Sequence, residues 1–347
     1  MKKPICLNVG DTVAFISPSS GCGAVFPHRI NRAARWFETQ GFRVKLLTTC
    51  FSRVGLSAGT VSDRLSDLHN AFADQEVKAI ICNIGGLTAN ELLLGIDFEL
   101  IANNPKIFCG FSDITLLHQA ILKKSELVTF YGPATMTQWA EYPEPQRYTI
   151  ESFLRTVCCT APVGQLDAAS EWSDEVLEWG TDDLKRPRRF YASEGWVWLR
   201  NGYACGLLTG GCLPSLLQLM GTPFEPEFDG RILLLETPEG DCLGKGPSLQ
   251  TVHKQLSDLK SWGVFERISG LVVGRPFGYS YQEQIEFRQL IEEHVNALSL
   301  PVLYNTDFGH CDPILTIPLG VDSTLDSSKG VWSIEESAVQ SSNIEMC

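Results

Sequence analysis

The sequence predicts an α/β protein of two domains, and three observations carry that prediction. The chain has 347 residues, about two domains at roughly 150 residues each, long enough to bury a core without disulfide or metal staples. Its residues are 44% hydrophobic and 20% charged, the balance of an ordinary folded globular protein. Short apolar runs alternate with amphipathic stretches, the pattern of a parallel sheet with helices on its faces.

The elements follow in order. Residues 12–17 read as a buried strand ending in a Ser-Pro-Ser-Ser-Gly turn, followed by a helix over 29–40. Residues 42–47 form the next strand. Residues 62–74 have helical periodicity carried by Asp63, Leu65, Leu68 and Phe72. A continuous apolar strand spans 77–83 and meets Gly85-Gly86, and a short helix opens at 90–93. Strand 106–109 runs through Gly110-Phe111-Ser112-Asp113 into a helix over 114–123, and strand 127–131 is closed by Gly132-Pro133. Residues 141–205 are rich in Glu, Asp, Arg, Trp and Pro, with little clean periodicity, and read as a connecting region that wraps one domain onto the next. From Cys205 a second domain offers strands at 231–235, 270–273 and 302–304 and helices at 213–220, 249–262 and 281–298. The last fifteen or so residues are polar and read as a loosely held tail. The division is therefore 1–165, 166–204 and 205–347.

The formal charge of −13 disfavours nucleic-acid polymers and anionic membranes as partners. No stretch approaches the roughly 20 apolar residues that span a bilayer, and the first residues lack the apolar core of a secretory signal. The twelve cysteines are scattered, many in apolar runs, and no Cys-x-x-Cys occurs. They read as buried free thiols in a reducing, cytoplasmic compartment, with no zinc site.

The sharpest chemical feature is Ile107-Phe108-Cys109-Gly110-Phe111-Ser112-Asp113-Ile114-Thr115. An apolar strand passes through Gly-x-Ser straight into a helix, the setting of a nucleophile elbow, in which a tight turn lifts the hydroxyl off the end of the sheet. Helix-start N–H groups beside it can hold an oxyanion. Ile114 stands where a second glycine is usual, and Ser112 could instead cap the helix. Asn83-Ile84-Gly85-Gly86-Leu87 also follows a buried strand; its glycines allow a backbone to approach a ligand closely, or make a plain turn. Of the six histidines, His310 lies in the turn-rich run Asp307-Phe308-Gly309-His310-Cys311-Asp312-Pro313 after a strand, where functional loops cluster. His118 sits on the same helix as Ser112 but points elsewhere. Glu236, after four apolar strand residues, offers a carboxylate to hold an imidazole in one tautomer. Asp113 and Asp312 compete for that role. Lys185, Arg186, Arg188 and Arg189 form the densest basic run, either a solvated loop or a cationic contact for an anionic substrate.

Together these pieces resemble the LD-carboxypeptidase family of serine peptidases, and within it the branch of the microcin C self-immunity proteins. The likeness runs from Gly10-Asp11-Thr12-Val13-Ala14-Phe15 through Ile84-Gly85-Gly86, the Ser112 run, Thr129-Phe130-Tyr131-Gly132-Pro133, Thr209-Gly210-Gly211-Cys212-Leu213, Gly221-Thr222 and Leu235-Glu236. It closes with Gly309-His310-Cys311-Asp312-Pro313 and Ile317-Pro318-Leu319-Gly320. The resemblance implies an N-terminal parallel-sheet α/β domain and a C-terminal α/β domain with a mixed sheet, with the active site at their junction. It implies a triad of Ser112 as nucleophile, His310 as base and Glu236 as orienter, with oxyanion donors in the backbone N–H groups of Gly86 and Asp113. It also implies a homodimer that needs no metal or cofactor.

The family often has Gly-Gly-Asn where this chain has Gly210-Gly211-Cys212. In the self-immunity branch a tryptophan of the connecting loop stacks on the nucleotide of the substrate; Trp179 is the best match and Trp172 the second. With Gly85, these are the expected substrate contacts. The expected activity is cleavage of an amide in a peptidyl- or aminoacyl-nucleotide. The alternatives are release of a terminal D-alanine from a murein tetrapeptide, and peptide or nucleotide binding without turnover.

Overall fold

The computed structural model describes residues 1–341. Its first sheet has six strands in the order Ile317–Leu319, Thr129–Tyr131, Ile107–Gly110, Val77–Cys82, Thr12–Ile16 and Arg43–Leu46. All pair in parallel except Ile317–Leu319, which runs antiparallel to Thr129–Tyr131. The central strands are buried on both faces, which explains why they read as unbroken apolar runs. Alternation divides their side chains between two cores: Val13, Phe15, Ala79, Ile81 and Cys109 face one, and Ala14, Ile16, Ile80, Cys82 and Phe108 face the other.

The second sheet has eight strands in the order Gly164–Leu166, Val331–Ile334, Asp322–Asp326, Tyr203–Cys212, Ile232–Glu236, Gly270–Gly274, Val302–Thr306 and Val197–Arg200. Its three middle pairings, from Tyr203–Cys212 to Val302–Thr306, are parallel and its flanks antiparallel, so the sheet is mixed. The helices are locally well started. Thr60 and Asp63 form a reciprocal cap on Val61–Ala73, as Ser280 and Glu283 do on Tyr281–Val295.

Several elements depart from the sequence expectation. Helix Arg147–Val157 lies in the region judged aperiodic; its buried Thr149, Phe153, Thr156 and Val157 mark one face, a narrow stripe hidden among polar residues. Strand Tyr203–Cys212 carries Gly206, Gly210 and Gly211 and so lacks strand composition. Two short strands cross the expected division. Gly164–Leu166 extends the second sheet, and Ile317–Leu319 seals the edge of the first. The chain before 341 is also not a loose tail. Ala338 and Val339 are buried, and Gln340 exchanges backbone bonds with Pro4 and Cys6. The rest of that expected tail, 342–347, lies outside the described residues. Eleven described cysteines are free thiols, and among the described residues no helix is long and apolar enough to cross a membrane.

Helix Thr115–Ser125 joins the two sheets. It is buried almost all round because the first sheet covers one side and strand Tyr203–Cys212 the other. Gln119 donates to the Gly210 carbonyl at 2.7 Å and accepts from the Thr209 hydroxyl at 3.1 Å. The Cys212 N–H donates to Thr115 Oγ1 at 3.0 Å. These bonds bring the C-terminal end of strand Ile232–Glu236 to the start of the helix that follows Ser112.

Candidate active site

Strand Ile107–Gly110 ends at Phe111, and Ser112 opens a single 3-10 turn, Ser112–Ile114, that leads into helix Thr115–Ser125. Ser112 has φ +65°, a left-handed conformation that L residues rarely adopt and that costs of order 1–3 kcal/mol. Ser112 makes no side-chain cap for the helix. Its hydroxyl instead faces His310, with Oγ 3.1 Å from Nε2. Of the two roles open to Ser112 in the sequence, this geometry fits the elbow.

The other imidazole nitrogen, Nδ1, lies 2.7 Å from Glu236 Oε2. An ionised carboxylate can only accept, so Nδ1 carries a proton and neutral His310 presents Nε2 as an acceptor to the serine hydroxyl. Gly309 makes the approach possible. It has φ +100°, and a Cβ there would lie 2.8 Å from Glu236 Oε2. Burial disfavours charge on His310, but the Glu236 carboxylate, with Glu239 and Asp312 behind it, outweighs that and holds its pKa above the ordinary histidine value.

The rival carboxylates are committed elsewhere. Asp113 Oδ2 accepts from Ser19 Oγ at 2.6 Å and from the Ala89 N–H at 2.9 Å, tying two strand-end loops together on the far side of the elbow. Asp312 accepts from Gln138 Nε2 at 2.9 Å and from Arg188 at 2.6 Å. Its backbone pairs with Ser173 in both directions, at 2.7 and 2.9 Å.

At the other end of the histidine loop, Asp307 accepts from Arg275, the Trp196 indole N–H and the Ala169 N–H, all within 2.9 Å. Ser173, Arg188, Ala169 and Trp196 all belong to the connecting region. That segment therefore grips the His310 loop at both ends.

The basic run is accordingly neither a solvated loop nor a free anion site throughout. Arg188, itself partly buried, lies between the buried carboxylates of Glu141 and Asp312. Arg186 forks onto both oxygens of Glu175 at 3.0 and 2.9 Å. Lys185 and Arg189 are both exposed.

Gly85 and Gly86 lie beside the elbow. A Cβ on Gly85 would stand 2.9 Å from Ser112 Oγ and 3.1 Å from the Asp113 N. The Gly86 N–H has no acceptor among the described residues, and the first turn of a helix leaves N–H groups without intrahelical partners. Trp179 packs edge-on to Phe26 at 5.4 Å and carries the Arg29 guanidinium 4.4 Å over its ring. Trp172 pairs with Tyr191 and lies under Arg275 at 5.0 Å. Both indoles thus have protein contacts on at least one side. Among the described residues no group of three or more His, Cys, Asp or Glu could hold a metal ion.

Tyr131 escaped the sequence reading. Its hydroxyl accepts from the Ser112 N–H at 3.1 Å and donates to Glu236 Oε1 at 2.5 Å. The signal is positional: Tyr131 ends the strand parallel to the one that leads into Ser112, and pairs with Gly110.

Models of the LD-carboxypeptidase N-terminal and C-terminal domains match residues 13–132 and 205–325. The chain is 30% identical to the microcin C7 self-immunity protein MccF of Escherichia coli, over 95% of this chain and 94% of that one. It is 31% identical to a Bacillus subtilis (strain 168) protein named a probable murein peptide carboxypeptidase, over 96% and 94%. A solved structure of MccF in complex with aspartyl sulfamoyl adenosine superposes with a TM-score of 0.90 at 29% identity, covering 98% of this chain and all of the other.

Proposed function

Because the chain belongs to the LD-carboxypeptidase family, we propose that it is a serine hydrolase in which Ser112, His310 and Glu236 act as a triad on an amide bond. The observation that carries this reading is the unbroken run of contacts from Ser112 Oγ to His310 Nε2 and from His310 Nδ1 to Glu236, at 3.1 and 2.7 Å. His310 takes the hydroxyl proton as Ser112 attacks the carbonyl carbon. Glu236 stabilises the imidazolium that forms. The N–H groups of Asp113 and Gly86 receive the oxyanion. His310 then passes the proton to the leaving amine, and water, deprotonated by the same imidazole, releases the acyl group from Ser112.

The preferred substrate is a peptidyl- or aminoacyl-nucleotide. Support comes from the near-complete structural match to a protein solved with an aminoacyl sulfamoyl nucleoside. Trp179 is the residue proposed to meet the base. A murein tetrapeptide is the second reading, supported by the near-complete match to the relative named for murein peptides. A homodimer remains part of the proposal.

The test is cleavage followed by mass spectrometry, with an aminoacyl sulfamoyl adenosine and a murein tetrapeptide offered side by side to wild type and Ser112→Ala. Cleavage of the nucleotide substrate, lost in the variant, is expected. Cleavage of the tetrapeptide alone shifts the substrate class. Cleavage that survives Ser112→Ala overturns the triad.

A further inference from the structure

Four hydrogen bonds form a closed ring that begins and ends on Ser112. The Ser112 N–H donates to the Tyr131 hydroxyl at 3.1 Å. That hydroxyl donates to Glu236 Oε1 at 2.5 Å. Glu236 Oε2 meets His310 Nδ1 at 2.7 Å, and His310 Nε2 meets Ser112 Oγ at 3.1 Å. The directions are fixed by chemistry. A backbone N–H can only donate, and Tyr131 has one proton, so that proton is free to go to the carboxylate.

Tyr131 is wholly buried. Its ring is held edge-on by Phe111 at 6.5 Å and Phe308 at 6.1 Å, with His118 tilted at 5.9 Å. Burial, then the neighbouring Glu236 charge, pushes its phenol well above the ordinary tyrosine value, so it stays a donor.

We propose that Tyr131 is a positioning residue of the hydrolase, acting on both ends of the triad at once: it pins the strained backbone of the nucleophile and shares the carboxylate with His310. The inference rests on the hydrolase reading above. Two consequences follow. With its N–H spent on Tyr131, Ser112 contributes no oxyanion donor of its own, which leaves that task to Asp113 and Gly86. And because Tyr131 draws on one oxygen of Glu236, it sets how strongly the other holds a protonated His310. The charged and titratable groups that face this pair are Glu239 and Asp312 beside His310, and the Cys212 thiol and Tyr131 beside Glu236. Cys212 lies opposite Glu236 in the strand register.

The experiment uses a fluorophosphonate, which phosphonylates an activated serine with loss of fluoride, so the readout needs no knowledge of the substrate. Labelling rates are followed against pH for wild type, Ser112→Ala, Tyr131→Phe and a protein with 3-fluorotyrosine at position 131. The phenylalanine variant removes the donor and acceptor but keeps the shape. Its labelling is expected to fall about 10-fold. Its acid-side midpoint is expected to rise by about one pH unit, because Glu236 then serves His310 alone.

The fluorinated phenol is a stronger donor, so its midpoint is expected to move the opposite way, below wild type. A residue that merely fills space gives no such pair of opposite shifts. Midpoints that coincide with wild type in both variants overturn the positioning role. If Tyr131→Phe does not fold, the fluorotyrosine protein decides alone. Failure of wild type to label, or labelling that survives Ser112→Ala, strikes the hydrolase reading instead, so the two ideas fail separately.

Discussion

Gly85 and Ser112 meet so closely that one methyl group would fill the space between them. A Cβ on Gly85 would lie 2.8 Å from Ser112 Cβ and 2.9 Å from Oγ, inside any ordinary contact distance. Gly85→Ala is therefore expected to push the hydroxyl out of line with His310. Displacements of this size cost on the order of 100-fold in rate. Phosphonylation rate and urea midpoint, measured together, check this: the first should collapse while the second moves little. A rate within a few-fold of wild type would show that the strand ends yield.

The pH dependence follows from the raised pKa of His310. Only neutral imidazole accepts the serine proton, so activity should fall as pH drops, with a midpoint above the ordinary histidine value of about 6.5. The His310–Glu236 pair stabilises the fold with the opposite pH sense. That contribution is full below the unfolded histidine value and is lost as pH rises through the folded one. A kcat/KM profile on any cleaved substrate, and urea unfolding of wild type against His310→Ala at several pH values, test the two arms. An acid limb below pH 6 contradicts the first.

Arg188 is the partly buried cation between the buried Glu141 and Asp312, and their charges hold its guanidinium protonated against desolvation. Arg188→Leu strands two carboxylates and should cost about 3–5 kcal/mol, read as a lowered urea midpoint. Because Asp312 is two residues from His310, phosphonylation should also slow in the protein that remains folded. An unchanged midpoint would mean that the carboxylates find other partners or protonate without penalty.

Trp179 separates the two substrate readings. If its indole meets a base, Trp179→Ala should raise KM for an aminoacyl sulfamoyl adenosine about 10-fold or more, since base stacking on an aromatic is worth roughly 1–3 kcal/mol. Cleavage of a murein tetrapeptide, if any, should not change. Equal KM values for wild type and variant would leave Trp179 as the partner of Arg29 and Phe26 only.

Legibility in the sequence followed locality. Ser112 could be found because its setting is contiguous: an apolar strand, Gly-x-Ser and a helix start occupy nine consecutive residues. His310 and Glu236 could be found one at a time, each at the end of an apolar strand where a polar residue needs a reason. The parallel core strands were equally plain, because burial on both faces writes itself as an apolar run. Helix Arg147–Val157 and strand Tyr203–Cys212 were hidden for the same kind of reason in reverse. One buries only a narrow stripe, and the other is full of glycine.

The rest was decided in three dimensions. Asp113, Asp312 and Glu236 are the same kind of group at comparable strand-end positions, and nothing local ranks them. Only the packed chain shows Asp113 spent on Ser19 and Ala89, Asp312 spent on Arg188 and Gln138, and Glu236 at His310. The same holds for Tyr131, whose hydroxyl joins residues 19 and 105 positions away, and for Arg188, which the sequence offers as part of a solvated loop or a contact for an anionic substrate. The sequence by itself determined which residues had the chemistry and which segments would be buried, because propensity and hydrophobic period act over a few neighbours. The tertiary structure decided which of those groups meet, because hydrogen bonds and ion pairs act over about 3 Å and long-range packing alone sets such distances.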